Sequence, residues 1–241
     1  MSLIRNRWAL LERVKEARES RSTTSGRVYD LDLADAYRVQ GELAGGREIA
    51  GYKLGLVSSA KQVQMGLESP IYGRVYPEMI LRSPVSLRRF IQPKMEPELA
   101  LRLGDDLPPG ASLTGEWTAA GEVFLAVDFL DSVWDGYKFT IAEVVADNTS
   151  GGGFLLGDKP LDPSPEDELR MYLDEDLVSE GPIEALGDVS AHLSWLAREV
   201  GGLEAGQVIF LGSPAAAVEA RPGTLELRGP KGSVLSAEIE K

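Results

Sequence analysis

An α+β fold is what the 241-residue sequence predicts, on three observations. Apolar residues recur at helical spacing at the start of the chain and in two short later stretches. The remainder reads as short strands, many of them flanked by Gly or Pro. Strands and helices do not alternate as repeated strand-helix-strand units, so two helices come first and a mostly β body follows. No internal repeat is present, and Pro108-Pro109-Gly110 and residues 162–167 are surface turns too short to link domains. The expectation is a single domain, 1–241, with a helical N-terminal cap over 1–47 and a β-rich core over 48–241.

The elements can be justified in order. Ile4, Trp8, Leu11, Val14 and Ala17 recur at helical spacing with Arg, Lys and Glu between them, which predicts an amphipathic helix. A polar stretch over 19–26 separates it from a second helix, capped by Asp32, with Leu33, Ala36, Tyr37 and Leu43 as its stripe and Gly45-Gly46 as its end. Residues 48–57 read as a strand and 58–65 as a short helix, with Ser58 as N-cap and Gly66 as C-cap. Strands are then expected at 98–103, 122–130, 154–156, 169–174, 207–211, 224–228 and 233–239, interrupted by helices at 141–146 and 189–200.

Composition excludes whole classes of chemistry. With no Cys there is no disulfide scaffold, thiol nucleophile, Cys-based zinc site or iron-sulfur cluster. A single histidine, His192, removes multi-histidine metal sites and leaves carboxylates as protein ligands, which favours hard, oxygen-preferring cations. The basic N-terminal residues are not followed by an apolar signal region, and no run approaches the roughly 18 apolar residues of a membrane span. A cytoplasmic protein without a membrane partner is expected. Twenty-five basic against 38 acidic residues, a net charge of -13, repel phosphate backbones, so no nucleic-acid partner is expected.

Five places could carry function. Glu96 and Glu98 are two residues apart, so on a strand both point to one side and could share a cation; the ordinary alternative is a wet face formed with Arg102. Asp128 lies in a segment apolar on both faces and needs a partner there, either a divalent cation or a lysine. Lys53 is the one charge in 49–56, with Gly51 and Gly55 leaving open space beside it; it could bind a substrate carboxylate or give a proton, or it could snorkel from an edge strand. The run from Asp147 to Gly153 offers hydroxyls, an amide and closely spaced N–H groups that could cradle an anion, or it is a plain helix-terminating turn. His192 sits on the polar side of its helix and reads as structural or solvated, and the Trp and Met residues read as core.

Taken together, Gly51-Tyr52-Lys53-Leu54-Gly55-Leu56, Lys61-Gln62-Val63-Gln64-Met65-Gly66, Glu96-Pro97-Glu98-Leu99-Ala100 and Ala146-Asp147-Asn148-Thr149-Ser150 resemble, in family order, the hydratase/decarboxylase branch of the fumarylacetoacetate hydrolase superfamily. The similarity extends through Trp195-Leu196-Ala197 and 207–212 and so covers nearly the whole chain. It implies a mixed β-roll with a helical N-terminal region, and Mg²⁺ or Mn²⁺ held by Glu96, Glu98 and Asp128. Asp128 stands where the family usually has Glu, and Asp131-Ser132-Val133 replaces Asp-Ser-Arg.

The resemblance also implies an activity. Hydratases of the branch often carry an acid in Pro-Asp-Phe-Gly, whereas this chain reads Pro70-Ile71-Tyr72-Gly73, and Ile71 cannot move a proton. That difference, with the decarboxylase-like segment 137–140, favours decarboxylation of a small 2-oxo dicarboxylic acid, 2-oxo-3-hexenedioate (4-oxalocrotonate), over hydration of 2-oxopent-4-enoate. Lys53 is then the catalytic group, Ser150 and Asn148 bind substrate, and Asp147 supports their loop. A homo-oligomer and a complex with a 2-oxopent-4-enoate hydratase are the implied assemblies, and a non-catalytic assembly subunit is the alternative from a different class. A carbon-carbon hydrolase of the wider superfamily lacks its water-activating histidine here.

Overall fold

The computed structural model describes all residues except Met1, Ser2, Val28, 59–61, Gln64, Met65 and Thr114. The chain starts with two helices, α1 (Leu3–Ser20) and α2 (Leu33–Ala44). Asp32 caps α2 by accepting the Asp35 N–H, and Gly45 ends it in the left-handed region at φ 59°, where a glycine is unstrained. Two later helices, α3 (Ile141–Ala146) and α4 (Val189–Val200), have the bounds the periodicity predicts. The helix expected over 58–65 lies for the most part outside the described residues.

The apolar face of α1 differs from the expected stripe. Leu10, Val14 and Ala17 are buried, while Ile4 and Trp8 are 72% and 63% exposed. Both sets have helical spacing, so periodicity alone admits either; burial follows the set that meets Val39, Val133, Trp134 and Ala146. Trp8 is therefore not core, contrary to the general reading of the tryptophans.

Among the described residues the strands form two sheets. The larger contains β1 (Gly51–Gly55), β2 (Ile71–Val75), β3 (Ile80–Leu81), β5 (Lys94–Leu103), β6 (Gly121–Leu130), β7 (Gly151–Leu156) and β10 (Val208–Phe210), in the order β2-β1-β10-β5-β6-β7-β3. Strand β11 (Val218–Glu219) pairs with the start of β5. The smaller sheet runs β4 (Val85–Ser86), β13 (Val234–Glu240), β12 (Gly223–Arg228), β8 (Glu168–Leu173) and β9 (Asp176–Pro182). Pairing is antiparallel except for β1 with β10, β3 with β7 and β4 with β13, so both sheets are mixed, as expected for this α+β fold.

Alternation along the strands separates two cores. Leu99 and Leu101 of β5, Leu125 and Val127 of β6 and Ile209 of β10 face the smaller sheet, where Leu169, Met171, Leu225, Leu227 and Ile239 meet them. The opposite face of the larger sheet carries Ala100, Ala126, Phe154 and Phe210 at one end. Along that same face, toward the end of β1 and the start of β5, stand the charged residues considered next. None of the described helices is long and apolar enough to cross a membrane.

Candidate metal and substrate site

Strands β5 and β6 are antiparallel with Glu96 opposite Asp128 and Glu98 opposite Ala126. The pleat then puts all three carboxylates on one face, and one oxygen from each lies within 4.8 Å of the others. Glu98 and Asp128 are 1% and 0% exposed, so Glu98 does not belong to a wet strand face.

Lys53 arrives from β1, which is internal to the sheet between β2 and β10, and it is buried; it is not a snorkelling edge lysine. In sheet order β1 and β6 are three places apart, about 14 Å on a flat sheet. Yet Lys53 Nζ donates to Asp128 Oδ2 at 2.5 Å. The sheet therefore curls, and its concave face gathers one ammonium and three carboxylates. Of the two partners that its burial called for, a cation or a lysine, Asp128 has the lysine.

The charges in this cluster do not balance. Burial pulls the Lys53 amine down, but Asp128 and then Glu98 outweigh burial and hold it above the ordinary lysine value. Burial, followed by the charge of Asp128, pushes Glu98 well above the usual carboxylate range, with Lys53 opposing. Burial also raises Asp128 despite its lysine. Glu98 Oε2 and Asp128 Oδ1 are buried and accept no hydrogen bond among the described residues. Converging carboxylates with buried, unsatisfied oxygens are what a hard divalent cation satisfies, so the donor set fits such an ion.

Beside the cluster lies a cavity of about 180 Å³. Lys53, Glu96, Tyr137, Thr149, Ser150 and Ser213 supply its polar lining, and Leu56, Ile71, Leu130, Phe139 and Val144 its apolar wall. Three of the hydroxyls are committed to main-chain carbonyls. Tyr137 donates to Gln92 at 3.0 Å, Thr149 to Tyr72 at 2.7 Å and Ser213 to Pro97 at 2.9 Å. The Ser150 hydroxyl is buried at the cavity without a partner among the described residues.

The segment that presents Ser150 is a strained turn. Asn148, Thr149 and Ser150 follow α3 with φ of 51°, 55° and 54°, a left-handed conformation that costs a non-glycine residue roughly 1–2 kcal/mol. Neighbouring glycines let it pack tightly. A Cβ on Gly73 would sit 2.4 Å from Asn148 O, and one on Gly55 2.9 Å from Thr149 Cγ2. The space expected beside Lys53 is thus filled: Gly55 receives Thr149, and a Cβ on Gly51 would meet Val208 O at 1.9 Å. Residues 151–153 form the start of β7 and not an anion cradle, since the Ser150 and Gly151 N–H groups donate to Asp147 O and Asn148 O.

Of the residues singled out from sequence, the structure brings Lys53, Glu96, Glu98, Asp128 and Ser150 to one place. Asn148 is different. Its Oδ1 accepts the Arg74 N–H at 2.7 Å and its Nδ2 donates to Arg74 O at 2.8 Å, and it does not line the Lys53 cavity. Both ends of its amide are thus engaged by the Arg74 main chain, which holds the turn. Asp147 supports the loop as expected, buried and bonded to Val133 N and Arg18. His192 is half-buried outside the cavity lining, with burial lowering its pKa. Ser213 and Arg18 went unnoticed in the sequence; the short strand followed by Gly212-Ser213 is a weak signal for the first, and none marks the second.

No protein-family model matches the sequence. The chain is 32% identical to 2-keto-4-pentenoate hydratase 1 of Dechloromonas aromatica (strain RCB) over 232 residues, covering 89% of this chain and 88% of that one. It is 33% identical to 4-oxalocrotonate decarboxylase of Pseudomonas sp. (strain CF600) over 213 residues, 80% of each. Among solved structures, 4-oxalocrotonate decarboxylase from Pseudomonas putida G7 complexed with magnesium and adipate matches with a TM-score of 0.87 at 29% identity, over 99% of both chains. That decarboxylase has also been solved with calcium and acetate.

Proposed function

Since the chain belongs to the hydratase/decarboxylase branch of the fumarylacetoacetate hydrolase superfamily, we propose that it is a metal-dependent decarboxylase of 2-oxo-3-hexenedioate (4-oxalocrotonate). The products are 2-oxopent-4-enoate and carbon dioxide, a step of aromatic meta-cleavage catabolism. Glu96, Glu98 and Asp128 would hold Mg²⁺ or Mn²⁺, which when bound supplies Lewis-acid polarisation of the 2-oxo group of a chelated 2-oxo acid. The magnesium complex of the Pseudomonas putida G7 decarboxylase with adipate, a six-carbon dicarboxylate, supports both parts of this reading.

In the reaction the C5–C6 bond breaks, its electron pair shifts through C4 and C3 toward the 2-oxo oxygen, and a proton delivered to C3 completes the product. The Lys53 ammonium, held on Asp128, stabilises the charge arriving at that oxygen and is the proton source in the cavity. The unpartnered Ser150 hydroxyl donates to a substrate carboxylate.

One observation favours decarboxylation over hydration: Leu56, Ile71, Phe139 and Val144 make an apolar wall, and Glu96 is the one carboxylate among the described lining residues. A wall of this kind offers no acid to activate water once Glu96 serves the cation. It also withholds hydration from a distal carboxylate, which leaves as neutral carbon dioxide. The second reading, a 2-oxopent-4-enoate hydratase, draws on the equal identity to the Dechloromonas enzyme. Supplying each substrate with Mg²⁺ and following carbon dioxide against 4-hydroxy-2-oxo acid separates them. Carbon dioxide from the six-carbon diacid supports the proposal, and water addition without it supports the hydratase.

A further inference from the structure

The side chain that does most to hold the Ser150 turn comes from a distant part of the chain. Arg18, in the last turn of α1, donates from Nε and Nη2 to Asp147 Oδ1 at 2.9 and 2.6 Å. Its Nη1 donates to Asp131 Oδ2 at 3.0 Å and its Nη2 to Asp131 O at 2.5 Å. Both carboxylates are buried and share this one guanidinium, and burial raises Asp147 to about 6 even with Arg18 beside it.

The same two aspartates grip Ser150 by its main chain. The Ser150 N–H donates to Asp147 O at 3.0 Å, and the Asp131 N–H donates to Ser150 O at 2.8 Å. Ser150 is therefore held on both sides by residues that Arg18 ties together, inside a turn of three left-handed residues that would relax if released. Asp131 extends the tie to the cavity's other side. Its Oδ1 accepts the Ile91 and Gln92 N–H groups, and the Gln92 carbonyl receives the Tyr137 hydroxyl.

We propose that Arg18 is a positioning residue for substrate binding: by clamping Asp131 and Asp147 from α1, it sets the main chain of Ser150 and aims the Ser150 hydroxyl into the Lys53 cavity. The consequence for turnover rests on the decarboxylase/hydratase reading; the clamp itself does not. Arg18 touches neither the cavity lining nor the acidic cluster, so its loss leaves the Lys53–Asp128 pair in place.

The test uses the full chain and three variants, Arg18→Ala, Arg18→Lys and Leu10→Ala. Leu10 is buried on the same helix and bonds to nothing in the clamp, so its truncation loosens α1 while sparing the guanidinium. Amide hydrogen exchange of peptides covering 147–153 is followed below the melting temperature of every variant, with Mg²⁺-dependent steady-state kinetics alongside. Arg18→Ala should speed exchange in 147–153 and raise KM about tenfold with kcat within about twofold, as loss of one charge-assisted contact to substrate predicts. Arg18→Lys should lie between it and the parent, and Leu10→Ala should lower the melting temperature without either change. Unchanged exchange in Arg18→Ala overturns the proposal, as does an equal response in Leu10→Ala. If the parent turns over neither substrate, the functional reading fails while the exchange data still decide the clamp.

Discussion

Lys53→Met asks what balances the acidic cluster. Asp128 is 0% exposed, and its one hydrogen bond is the 2.5 Å contact to Lys53; its other oxygen has no partner. Replacing lysine by an isosteric apolar chain removes the buried cation and leaves the buried carboxylates. Breaking a buried pair from one side costs about 3–5 kcal/mol, roughly a fifth or more of the total for a marginally stable protein. The cost must depend on pH. Burial already raises Asp128 and Glu98, and a carboxylate whose folded pKa is raised stabilises fully below its unfolded value, that stability being lost as pH rises through the folded value. Without Lys53 both move further up, so the deficit is largest near pH 8 and shrinks on acidification toward pH 5, where the cluster takes up protons. The measurement is urea unfolding of parent and variant in EDTA at pH 8 and pH 5.5. A cation should restore much of the loss at pH 8, about 2.7 kcal/mol at one hundred times its dissociation constant. A deficit below about 1 kcal/mol, or one equal at both pH values, would refute the view that Lys53 is the counter-charge of the cluster.

Other outcomes follow from the same geometry. Glu98→Gln keeps the shape but removes a converging charge, so calorimetry should find Mg²⁺ affinity reduced at least about tenfold while the fold persists. Ser150→Ala deletes a buried hydroxyl that bonds to none of the described residues; its unfolding free energy should stay within about 0.5 kcal/mol of the parent, or rise, while KM increases. Gly73→Ala places a methyl 2.4 Å from Asn148 O, a main-chain atom that cannot swing aside, and should lose more than about 2 kcal/mol by denaturant titration and displace the Ser150 turn.

What could be read in the sequence was what depends on local period and residue type. The bounds of α3 and α4, the caps of α2, strand β6 and residues 98–103 of β5 are such features, because each is fixed by short-range alternation or by a capping side chain, whereas the start of β5 at Lys94 was missed. The same-face placement of Glu96 and Glu98 needs only the pleat. β2 and β9 were not legible: Gly73 with Arg74 in one, and Gly181-Pro182 in the other, mask strands that exist because neighbours pair with them. α1 was given Ile4 and Trp8 in place of Leu10 on its buried face, while Val14 and Ala17 are buried as expected, because two overlapping stripes share one period. The glycines beside Lys53 were read as empty space, whereas their lack of a side chain is used by Thr149 and by the main chain at Val208. Arg18 carries no local sign of its role, since its two partners lie more than a hundred residues away.

The departures from the family pattern gain a physical reading from these contacts. Val133, at the position of the family arginine, is buried against Leu10, Val14 and Ala17, and its N–H donates to Asp147 Oδ2 at 2.9 Å. An apolar residue there packs against α1, and Arg18 of the same helix bonds Asp131 and Asp147, so the carboxylates near the turn keep a cation although position 133 has none. Asp128, shorter than the usual Glu, divides its two oxygens, Oδ2 to Lys53 and Oδ1 left without a partner. On the proposed assignment of Asp128 as a metal ligand, ligand and lysine partner are one side chain, which would couple cation binding to the position of the ammonium. Asp128→Asn should accordingly weaken Mg²⁺ binding and lower turnover together, whereas a loss of affinity with turnover preserved at saturating metal would show that the two roles are separable.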